Sequence, residues 1–385
     1  MTGNITVLAV GDVGPLHEPI ARYSELVRPL LAQSDIRFAQ CERVYSERGS
    51  LQFHSGGEHT RLKPHMASVF SDCGFNVVSV ASNHAMDWGG EALLDTIDEL
   101  RRRGMHVVGA GRNLEEARAP AIVECKGVRV AFLAYCSILR EGYEAGRAKP
   151  GVAPLRVRTE YRAFDWQAGI PPEVVTTPHE EDFAALLDDI RAAKARADVV
   201  AVSLHWGIHY IPRMIAGYQP LVARAAFEAG ADMILGHHAH TPKAIGVHDG
   251  KVCFYSLSNF IMSSTAKSPE KAKLFEQRYG VTLDPDYPHL SYGSDAKRSL
   301  IAKAVVTRNG VEKVSFLPVL IDRELRPEPL RHGDPRFDDA VRFMRWVSEG
   351  YGAELVPEGD EVAVSAATPA SALPPPRAET APSGD

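Results

Sequence analysis

Three histidines fall within four positions in the segment Gly236-His237-His238-Ala239-His240. The segment follows the largely apolar run 231–235, which predicts a buried strand, so the histidines lie where a strand gives way to a loop. His238 and His240 are two positions apart and would project to the same side of an extended backbone. Two imidazoles directed at one point suit a borderline divalent metal ion, and the segment therefore predicts a metal site.

Further residues with metal-ligand chemistry follow other predicted strands. The ligand-type residues that come just after a predicted strand are, in chain order, Asp12, Glu42, Asn83, His205, His238 and His240. Parallel strands bring such residues to one edge of a sheet, so we expect these side chains to converge. Carboxylate, amide and imidazole ligands together suit Mn, Fe or Zn better than Mg or Ca. The set is too large for one tetrahedral zinc and suits two ions bridged by a shared carboxylate.

Short apolar runs and helical segments must position these residues. The apolar runs predict strands at 5–10, 36–39, 75–81, 105–109, 199–204, 231–235 and 251–256. The spacing of apolar residues predicts helices at 17–34, 64–73, 91–103, 180–197, 218–229 and 334–349. Paired runs predict hairpins at 122–125 with 128–135 and at 301–307 with 311–318.

The remaining ranges are polar or rich in Gly and Pro and predict loops. The range 48–61 contains His54 and His59, which either face the site or lie in an ordinary loop. The range 137–178 predicts a long loop of the lid or binding type, and 263–299 an excursion over the site.

The overall composition is that of a globular protein, with 45% hydrophobic and 24% charged residues among 385. A formal net charge of −6 argues against nucleic acid as a partner, because phosphate binding needs a basic surface. The N-terminus lacks the pattern of a signal peptide, and no apolar stretch reaches the roughly 18 residues of a membrane span. The 5 cysteines form no C-x-x-C pair, so we expect a reduced, cytoplasmic protein.

Taken together, the motifs resemble the CapA family, whose members are linked to capsule and poly-γ-glutamate synthesis and which is similar to the calcineurin-like metallophosphoesterases. The matching stretches, between about residues 4 and 262, are Gly11-Asp12, Gln40-Cys41-Glu42, Ser82-Asn83-His84-Ala85-Met86-Asp87, His205-Trp206-Gly207, Gly236-His237-His238-Ala239-His240 and Tyr255-Ser256-Leu257-Ser258-Asn259-Phe260. The resemblance implies an α/β fold of four layers, with two mixed sheets sandwiched between helices. It would occupy residues 1–325, followed by a C-terminal helical extension at 326–365 and a disordered tail at 366–385.

The resemblance also implies how the ligands are shared between two ions. One ion would be held by Glu42, Asn83, His205 and His238, and the other by Asp12, Glu42 and His240. Glu42 is thus the bridging carboxylate. The phosphoesterases carry a further histidine where this chain has Gly14, so occupancy of the second ion is left open, and His17 is a candidate substitute.

Residues around the ions are assigned by the same resemblance. His84 would protonate a leaving oxygen or steady the charge of the transition state, and Asp87 would orient it, unless Asp87 only caps the helix that follows. The candidate substrate contacts are His209, Arg213 and Asn259. His209 could instead lie on the surface, Arg213 could bind an anionic group, and Asn259 could be a turn residue or hydrogen-bond the ligands.

These inferences predict a metal-dependent hydrolase in which a metal-activated water attacks a phosphoester or an amide-like bond. An alternative is a non-hydrolytic accessory protein of poly-γ-glutamate capsule synthesis that contacts synthase subunits. A third possibility is a tailoring hydrolase in a small-molecule pathway. The expected partner is a small-molecule or polymer substrate, with no nucleic acid and no membrane span.

Overall fold

The computed structural model describes residues 3–53, 55, 57, 60–163 and 169–367. The predictions for His54, for His59 and for the tail from residue 368 onward lie outside these residues. Among the described helices, none is both long enough and apolar enough to cross a membrane.

The strands come from all parts of the chain. In chain order they are β1 (Ile5–Gly14), β2 (Ile36–Cys41), β3 (Val44–Tyr45), β4 (Arg61–Leu62), β5 (Val77–Ser79), β6 (His106–Val108), β7 (Ala110–Gly111), β8 (Ala121–Cys125), β9 (Val128–Cys136), β10 (Gly151–Val152), β11 (Val157–Arg162), β12 (Glu173–Pro178), β13 (Val199–His205), β14 (Met233–His237), β15 (Ile245–His248), β16 (Lys251–Phe254), β17 (Asn259–Met262), β18 (Arg298–Thr307), β19 (Gly310–Ile321), β20 (Pro327–Pro329), β21 (Ala353–Glu358) and β22 (Glu361–Ala366).

The helices alternate with the strands in the first two thirds of the chain. They are α1 (Arg28–Leu31), α2 (Ser68–Asp72), α3 (Gly89–Arg102), α4 (Leu114–Arg118), α5 (Glu180–Lys194), α6 (Tyr218–Ala229), α7 (Pro269–Tyr279) and α8 (Pro335–Ser348). Short 3-10 helices lie at Ile20–Ser24, Pro64–Ala67 and Ser294–Lys297.

Two mixed sheets form the centre of the molecule. The larger has the strand order β21-β22-β19-β18-β1-β2-β5-β6, with β17 beside β1 and β20 beside β19. The smaller has the order β15-β16-β14-β13-β9-β8. In the larger sheet β1, β2, β5, β6 and β17 are parallel, and in the smaller sheet β9, β13, β14 and β16 are parallel.

Alternation of side chains along the strands produces three apolar layers. In β1, Val7 and Ala9 pack between the two sheets, whereas Leu8 and Val10 face the helices that cover the larger sheet. In β14, Leu235 and its alternate neighbours pack between the sheets, and the intervening residues face α5 and α6. The layers therefore run helix, sheet, sheet, helix, and the predicted α/β fold with two mixed sheets between helices is confirmed.

The two predicted hairpins are confirmed as β8–β9 and β18–β19. The predicted helix at 17–34 is wrong, because the structure has only the 3-10 turn Ile20–Ser24 and the one-turn helix α1 in that range. The range contains Pro19 and Pro29. Proline lacks a backbone N–H and clashes with the preceding turn, so it begins a helix but does not continue one.

Two ranges that we expected to lack strands contain β-hairpins. Within 137–178, which we expected to be a loop, β11 and β12 pair as an antiparallel hairpin. Within 326–365, which we expected to be helical, α8 is joined by the hairpin β21–β22, and β22 extends the larger sheet through β19. These strands alternate exposed and half-buried residues and have few fully buried ones, so their apolar pattern is weak.

Close backbone contacts require glycine just before the site residues. A Cβ atom on Gly11 would lie 1.9 Å from the carbonyl oxygen of Ser258, and one on Gly236 would lie 2.2 Å from the carbonyl oxygen of Tyr255. Contacts this short are impossible for a side-chain carbon. The glycines therefore let β17 and its preceding loop approach both β1 and β14, which carry Asp12 and the histidines.

We expect Gly236→Ala to lower the free energy of unfolding by about 3 kcal/mol, because the added methyl group forces two backbone segments apart. Urea denaturation of the full chain measures this change. The matched control is Gly217→Ala, whose added Cβ would meet only Thr176 Oγ1 at 3.5 Å. Equal stability of the two variants would contradict the close contact.

Candidate metal centre

The central strands of both sheets carry the predicted site residues at their carboxyl ends. In the larger sheet, Asp12 lies near the end of β1, and Glu42 directly follows β2. In the smaller sheet, His205 ends β13 and lies opposite His237, which ends the parallel strand β14. One sheet thus supplies carboxylates and the other supplies imidazoles.

Asp12, Glu42 and His240 form one group of ligand-type residues. One nitrogen or oxygen atom from each lies within 4.8 Å of the others, and all three residues are buried. His240 Nε2 lies 3.3 Å from Glu42 Oε1, and His240 Nδ1 lies 3.8 Å from Asp12 Oδ2. These are the residues that the resemblance implies for one of the two ions.

Asn83, His205 and His238 form a second group. His205 Nε2 lies 2.8 Å from Asn83 Oδ1, and the ring centroids of His205 and His238 are 5.0 Å apart. Neighbouring ligand atoms around one ion with bonds of about 2.1 Å are about 3 Å apart. The His205–Asn83 contact therefore has the spacing of two ligands on one ion.

Several ligand atoms have no hydrogen-bond partner among the described residues. They include both carboxylate oxygens of Glu42, Asp12 Oδ1 and His238 Nδ1. A buried charge without a partner costs about several kcal/mol. A divalent cation would satisfy carboxylate oxygens and imidazole nitrogens together, so this donor set fits one.

Burial and charge shift the pKa values in the cluster in different directions. Burial raises the pKa of Asp12, and the charge of Glu42 raises it further. Burial also acts to raise the pKa of Glu42, but the interactions with His240, His84 and His205 together outweigh it and hold that pKa below its usual range. Burial lowers the pKa of His205 and of His238, so both rings are neutral and keep a lone pair for a metal ion.

The loop that carries His238 and His240 is not extended, which corrects our expectation. His238 has a φ of 87° and His240 a φ of 55°, in the left-handed region that non-glycine residues rarely adopt. Such a conformation costs about 1–3 kcal/mol per residue. The backbone N–H of His238 donates to Asp12 Oδ2 at 3.2 Å. Contacts to the larger sheet, rather than strand geometry, therefore aim the two rings.

Asp87 holds the ring of His84. Asp87 Oδ2 lies 2.7 Å from His84 Nδ1, and the His84 side chain is 19% exposed. The other oxygen of Asp87 accepts hydrogen bonds from Arg140 Nη1 at 2.6 Å and from Tyr143 OH at 2.8 Å. Helix α3 begins without a side-chain cap, so Asp87 orients His84 rather than capping the helix.

The predicted substrate contacts His209 and Asn259 both lie beside the cluster. The ring centroid of His209 is 3.8 Å from that of His238. Asn259 Oδ1 lies 2.8 Å from His240 Nδ1, and Asn259 Nδ2 donates to the backbone carbonyls of His240 and Ala296. Asn259 is fully buried and has used its whole amide. It therefore orients His240, in keeping with the alternative that Asn259 hydrogen-bonds a ligand.

Two other candidates lie outside the cluster. Arg213 Nη2 pairs with Glu349 Oε2 at 3.2 Å, and its guanidinium lies 5.6 Å from the ring centroid of Trp346. It thus binds the C-terminal part of the chain. The ring of His17, the suggested substitute for the histidine missing at position 14, contacts His289 at a centroid distance of 4.9 Å. It is not in the group around Asp12.

Aromatic residues that the sequence analysis did not single out enclose the cluster. The ring of Tyr292 stacks on His240 at a centroid distance of 4.1 Å, and Tyr210 stacks on His209 at 4.5 Å. The ring centroid of Phe275, in α7, lies 5.0 Å from that of Tyr210. Tyr292 and Phe275 belong to the 263–299 segment, so this segment places aromatic rings beside the cluster. The number of tyrosines in that segment was the available signal.

Two further buried groups support the site. Lys243 Nζ donates to the carbonyls of Ile211 and Met214, which fixes the loop that carries His209, and burial lowers its pKa to about 7. His237 Nδ1 lies 3.7 Å from Asp12 Oδ1. Neither residue had a local sequence signal for this role, because both depend on contacts between distant segments.

The fold and these residues define a two-sheet α/β protein with a buried carboxylate–histidine cluster of the metal-ligand type. The family described as "Bacterial capsule synthesis protein PGA_cap" matches residues 6–264, and the chain belongs to this family. PGA biosynthesis protein CapA of Bacillus subtilis (strain 168) is 30% identical over 238 residues, which cover 62% of this chain and 56% of that protein. Capsule biosynthesis protein CapA of Bacillus anthracis is 28% identical over 271 residues, which cover 67% of this chain and 59% of that protein. The match thus spans less than two thirds of either relative.

Solved structures with a similar arrangement have low sequence identity. A hypothetical protein from Thermus thermophilus gives a TM-score of 0.45 at 16% identity, covering 84% of this chain and 100% of that chain. The calcineurin-like phosphoesterase YfkN from Bacillus subtilis gives a TM-score of 0.42 at 13% identity, covering 90% of this chain and 97% of that chain.

The pKa of Asp87 lies below its usual value of 3.8, because hydrogen bonding and charge from His84 and then Arg140 outweigh burial, which raises it. A carboxyl group with a depressed folded pKa stabilises the fold fully above about pH 5 and loses this contribution as the pH falls through the folded pKa. We expect Asp87→Asn to lower the free energy of unfolding by about 2 kcal/mol at pH 7. The difference from wild type should shrink between about pH 5 and pH 3.

Urea denaturation at several pH values measures this difference. The control Asp188→Asn alters a side chain that is 72% exposed and should change stability by less than about 0.5 kcal/mol at any pH. A deficit of Asp87→Asn that stays constant from pH 7 to pH 3 would show that the Asp87 charge does not stabilise the fold.

Proposed function

We propose that this protein is a metal-dependent hydrolase that binds two divalent cations between its sheets. The observation that carries the proposal is the buried group of Asp12, Glu42 and His240, with ligand atoms within 4.8 Å of one another. Both oxygens of Glu42 lack a hydrogen-bond partner among the described residues. A bridging position between two cations would satisfy both oxygens at once.

The two groups of ligands divide between the proposed ions. Glu42, Asn83, His205 and His238 would hold one, and Asp12, Glu42 and His240 the other. Asn259 fixes the ring of His240 through Nδ1, at 2.8 Å, and leaves Nε2 on the side of Glu42. A ligand side chain that a second residue already orients loses less conformational freedom when it binds a metal ion. The mixture of nitrogen and oxygen donors suits Mn, Fe or Zn.

Bound cations would supply Lewis acidity, which lowers the pKa of water and offsets negative charge on a phosphoryl or carbonyl oxygen. The chain's own contribution to proton transfer is His84. Asp87 holds its Nδ1, so Nε2 is the atom left to give a proton to the leaving oxygen. Tyr210 and Tyr292 exclude water from the cluster, which strengthens its electrostatic interactions. The substrate is a phosphoester or an amide-like bond.

A second candidate function is that of an accessory protein in capsule polymer synthesis, without hydrolysis. The names of the two Bacillus relatives, for PGA and capsule biosynthesis, favour this role. Its partners would be the subunits of a polymer synthase. Co-purification with a membrane ligase, together with an absence of bound metal, would favour the accessory role over the hydrolase.

Metal content tests the ligand assignment. We expect the purified full chain to hold about two Mn, Fe or Zn ions per molecule by elemental analysis. His205→Ala should lose about one ion, because it removes a ligand of only one site. The matched control His106→Ala, at an exposed position on β6, should keep both. An unmodified chain that holds no metal, even after Mn is added back, would overturn the proposal.

Activity tests the roles of His238 and His84. With Mn added, hydrolysis of a generic phosphodiester or of a γ-glutamyl amide should fall by at least about 100-fold in His238→Ala, which removes a metal ligand. In His84→Asn, kcat should fall about 100-fold while metal content stays at the wild-type level. His106→Ala is again the control. Undiminished activity of His238→Ala would rule out this mechanism.

A further inference from the structure

A group of basic side chains lies beside the metal centre and plays no part in the proposed mechanism. Ser263 directly follows β17 and connects two of the segments that carry these basic side chains. Its Oγ accepts a hydrogen bond from the backbone N–H of Leu16 at 2.6 Å, and its carbonyl oxygen accepts one from Arg43 Nη2. His17 follows Leu16, and its ring contacts that of His289. We call the following residues the basic cluster: His17, Arg22, Arg43 and His289.

Donor atoms of the basic cluster lack acceptors. His17 Nε2, Arg22 Nε and Arg43 Nη1 are buried and have no hydrogen-bond partner among the described residues. Neither arginine forms an ion pair with a described carboxylate. Glu18, the acidic residue next to His17, pairs with His65 at 3.2 Å instead. The cluster therefore carries positive charge that no described carboxylate pairs directly.

Arg43 is the decisive member, because it is only 3% exposed. A buried cation is normally paired with an anion. Arg22 has a partial alternative in the ring of Tyr23, whose centroid lies 4.8 Å from its guanidinium. Among the described residues, Arg43 hydrogen-bonds the carbonyl of Ser263 and the hydroxyl of Tyr292, both through Nη2, and its Nη1 has no partner.

The pKa of His17 reflects the same basic neighbours. Burial lowers the pKa of His17, and the positive charges of His289, Arg22 and Arg43 lower it further. Side chains of one sign therefore surround His17. An unbalanced group of this kind favours the binding of an anion.

The basic cluster is one aromatic ring away from the metal centre. Tyr292 OH lies 3.5 Å from Arg43 Nη2, and the Tyr292 ring stacks on His240. Gly14 makes room for this arrangement, because a Cβ atom there would lie 3.0 Å from Arg43 Cδ and 3.1 Å from Met262 Sδ. The arginine thus occupies space that a side chain at position 14 would need.

We propose that the basic cluster binds an oxyanion of the substrate, a phosphate or carboxylate group other than the one that reacts at the metal centre. A guanidinium group binds either anion through paired N–H donors, and His17 and Arg22 add donors beside it. The assignment of the anion to a substrate rests on the proposed hydrolase function, whereas the anion site itself does not. The expected substrate class is therefore a molecule with a second negatively charged group.

Titration calorimetry of the full chain with inorganic phosphate, and separately with glutarate, tests the site. We expect Arg43→Met to weaken binding of the preferred probe by at least about tenfold, because it removes a charged hydrogen bond. Arg345→Met is the matched control, since Arg345 also donates to a backbone carbonyl, that of Leu355, and should bind like wild type. Every titration is run in EDTA, because phosphate and carboxylates also bind divalent cations, and His205→Ala should then bind like wild type.

The outcomes separate this proposal from the hydrolase function. Equal affinity of wild type and Arg43→Met, or no binding of either probe to wild type, would overturn the anion site whatever the metal content. Loss of binding in His205→Ala with full binding in Arg43→Met would assign the anion to the metal centre and also overturn it. Preference for phosphate or for glutarate decides which anion the substrate carries. If circular dichroism shows that Arg43→Met is unfolded, His17→Asn must weaken binding instead.

Discussion

The burial of two carboxylates, Asp12 and Glu42, at the meeting edge of two sheets is the constraint on which the rest of the structure depends. Both side chains are fully buried, and charged groups leave water at a cost of about several kcal/mol unless a partner compensates them. His240 supplies part of the compensation, and its own pKa is raised by the charge of Glu42 and then of Asp12 against the effect of burial. Imidazole and amide groups lie around the carboxylate oxygens that have no hydrogen-bond partner among the described residues.

The surrounding backbone is arranged so that these groups can meet. Gly11 and Gly236 allow the loop before β17 to pass within contact distance of β1 and β14. The left-handed conformations of His238 and His240 then turn both rings toward the carboxylates. Strain of about 1–3 kcal/mol per residue persists only where surrounding contacts enforce it. Here those contacts come from the larger sheet, so the geometry of the cluster depends on how the two sheets pack together.

Residues 263–299 place aromatic rings beside the carboxylate–histidine cluster. Tyr292 stacks on His240, and α7 contributes Phe275 above Tyr210, so the cluster lies in a medium of low polarity where charges interact strongly. The same segment contributes Ser263 to the basic cluster around Arg43. A compact substrate group at the cations and a second negative group at Arg43 would both be held under one cover. Positioning of this kind contributes to catalysis by fixing orientation before the reaction.

The sequence by itself determined which ligand-type residues follow buried strands and which elements deliver them. Buried runs that end in Asp, Glu or His follow from local burial and periodicity, and these predicted the ends of β1, β2, β13 and β14. Only the tertiary structure decided how the side chains meet, since sheet order, loop closure and strain depend on contacts between segments far apart in the chain. It placed Asn259 on His240 and Arg213 on Glu349, and it added β22 to the larger sheet. Apolar spacing alone predicted one helix over 17–34, but Pro19 and Pro29 prevent it. The spacing indicates which residues are buried and does not show that proline lacks a backbone N–H.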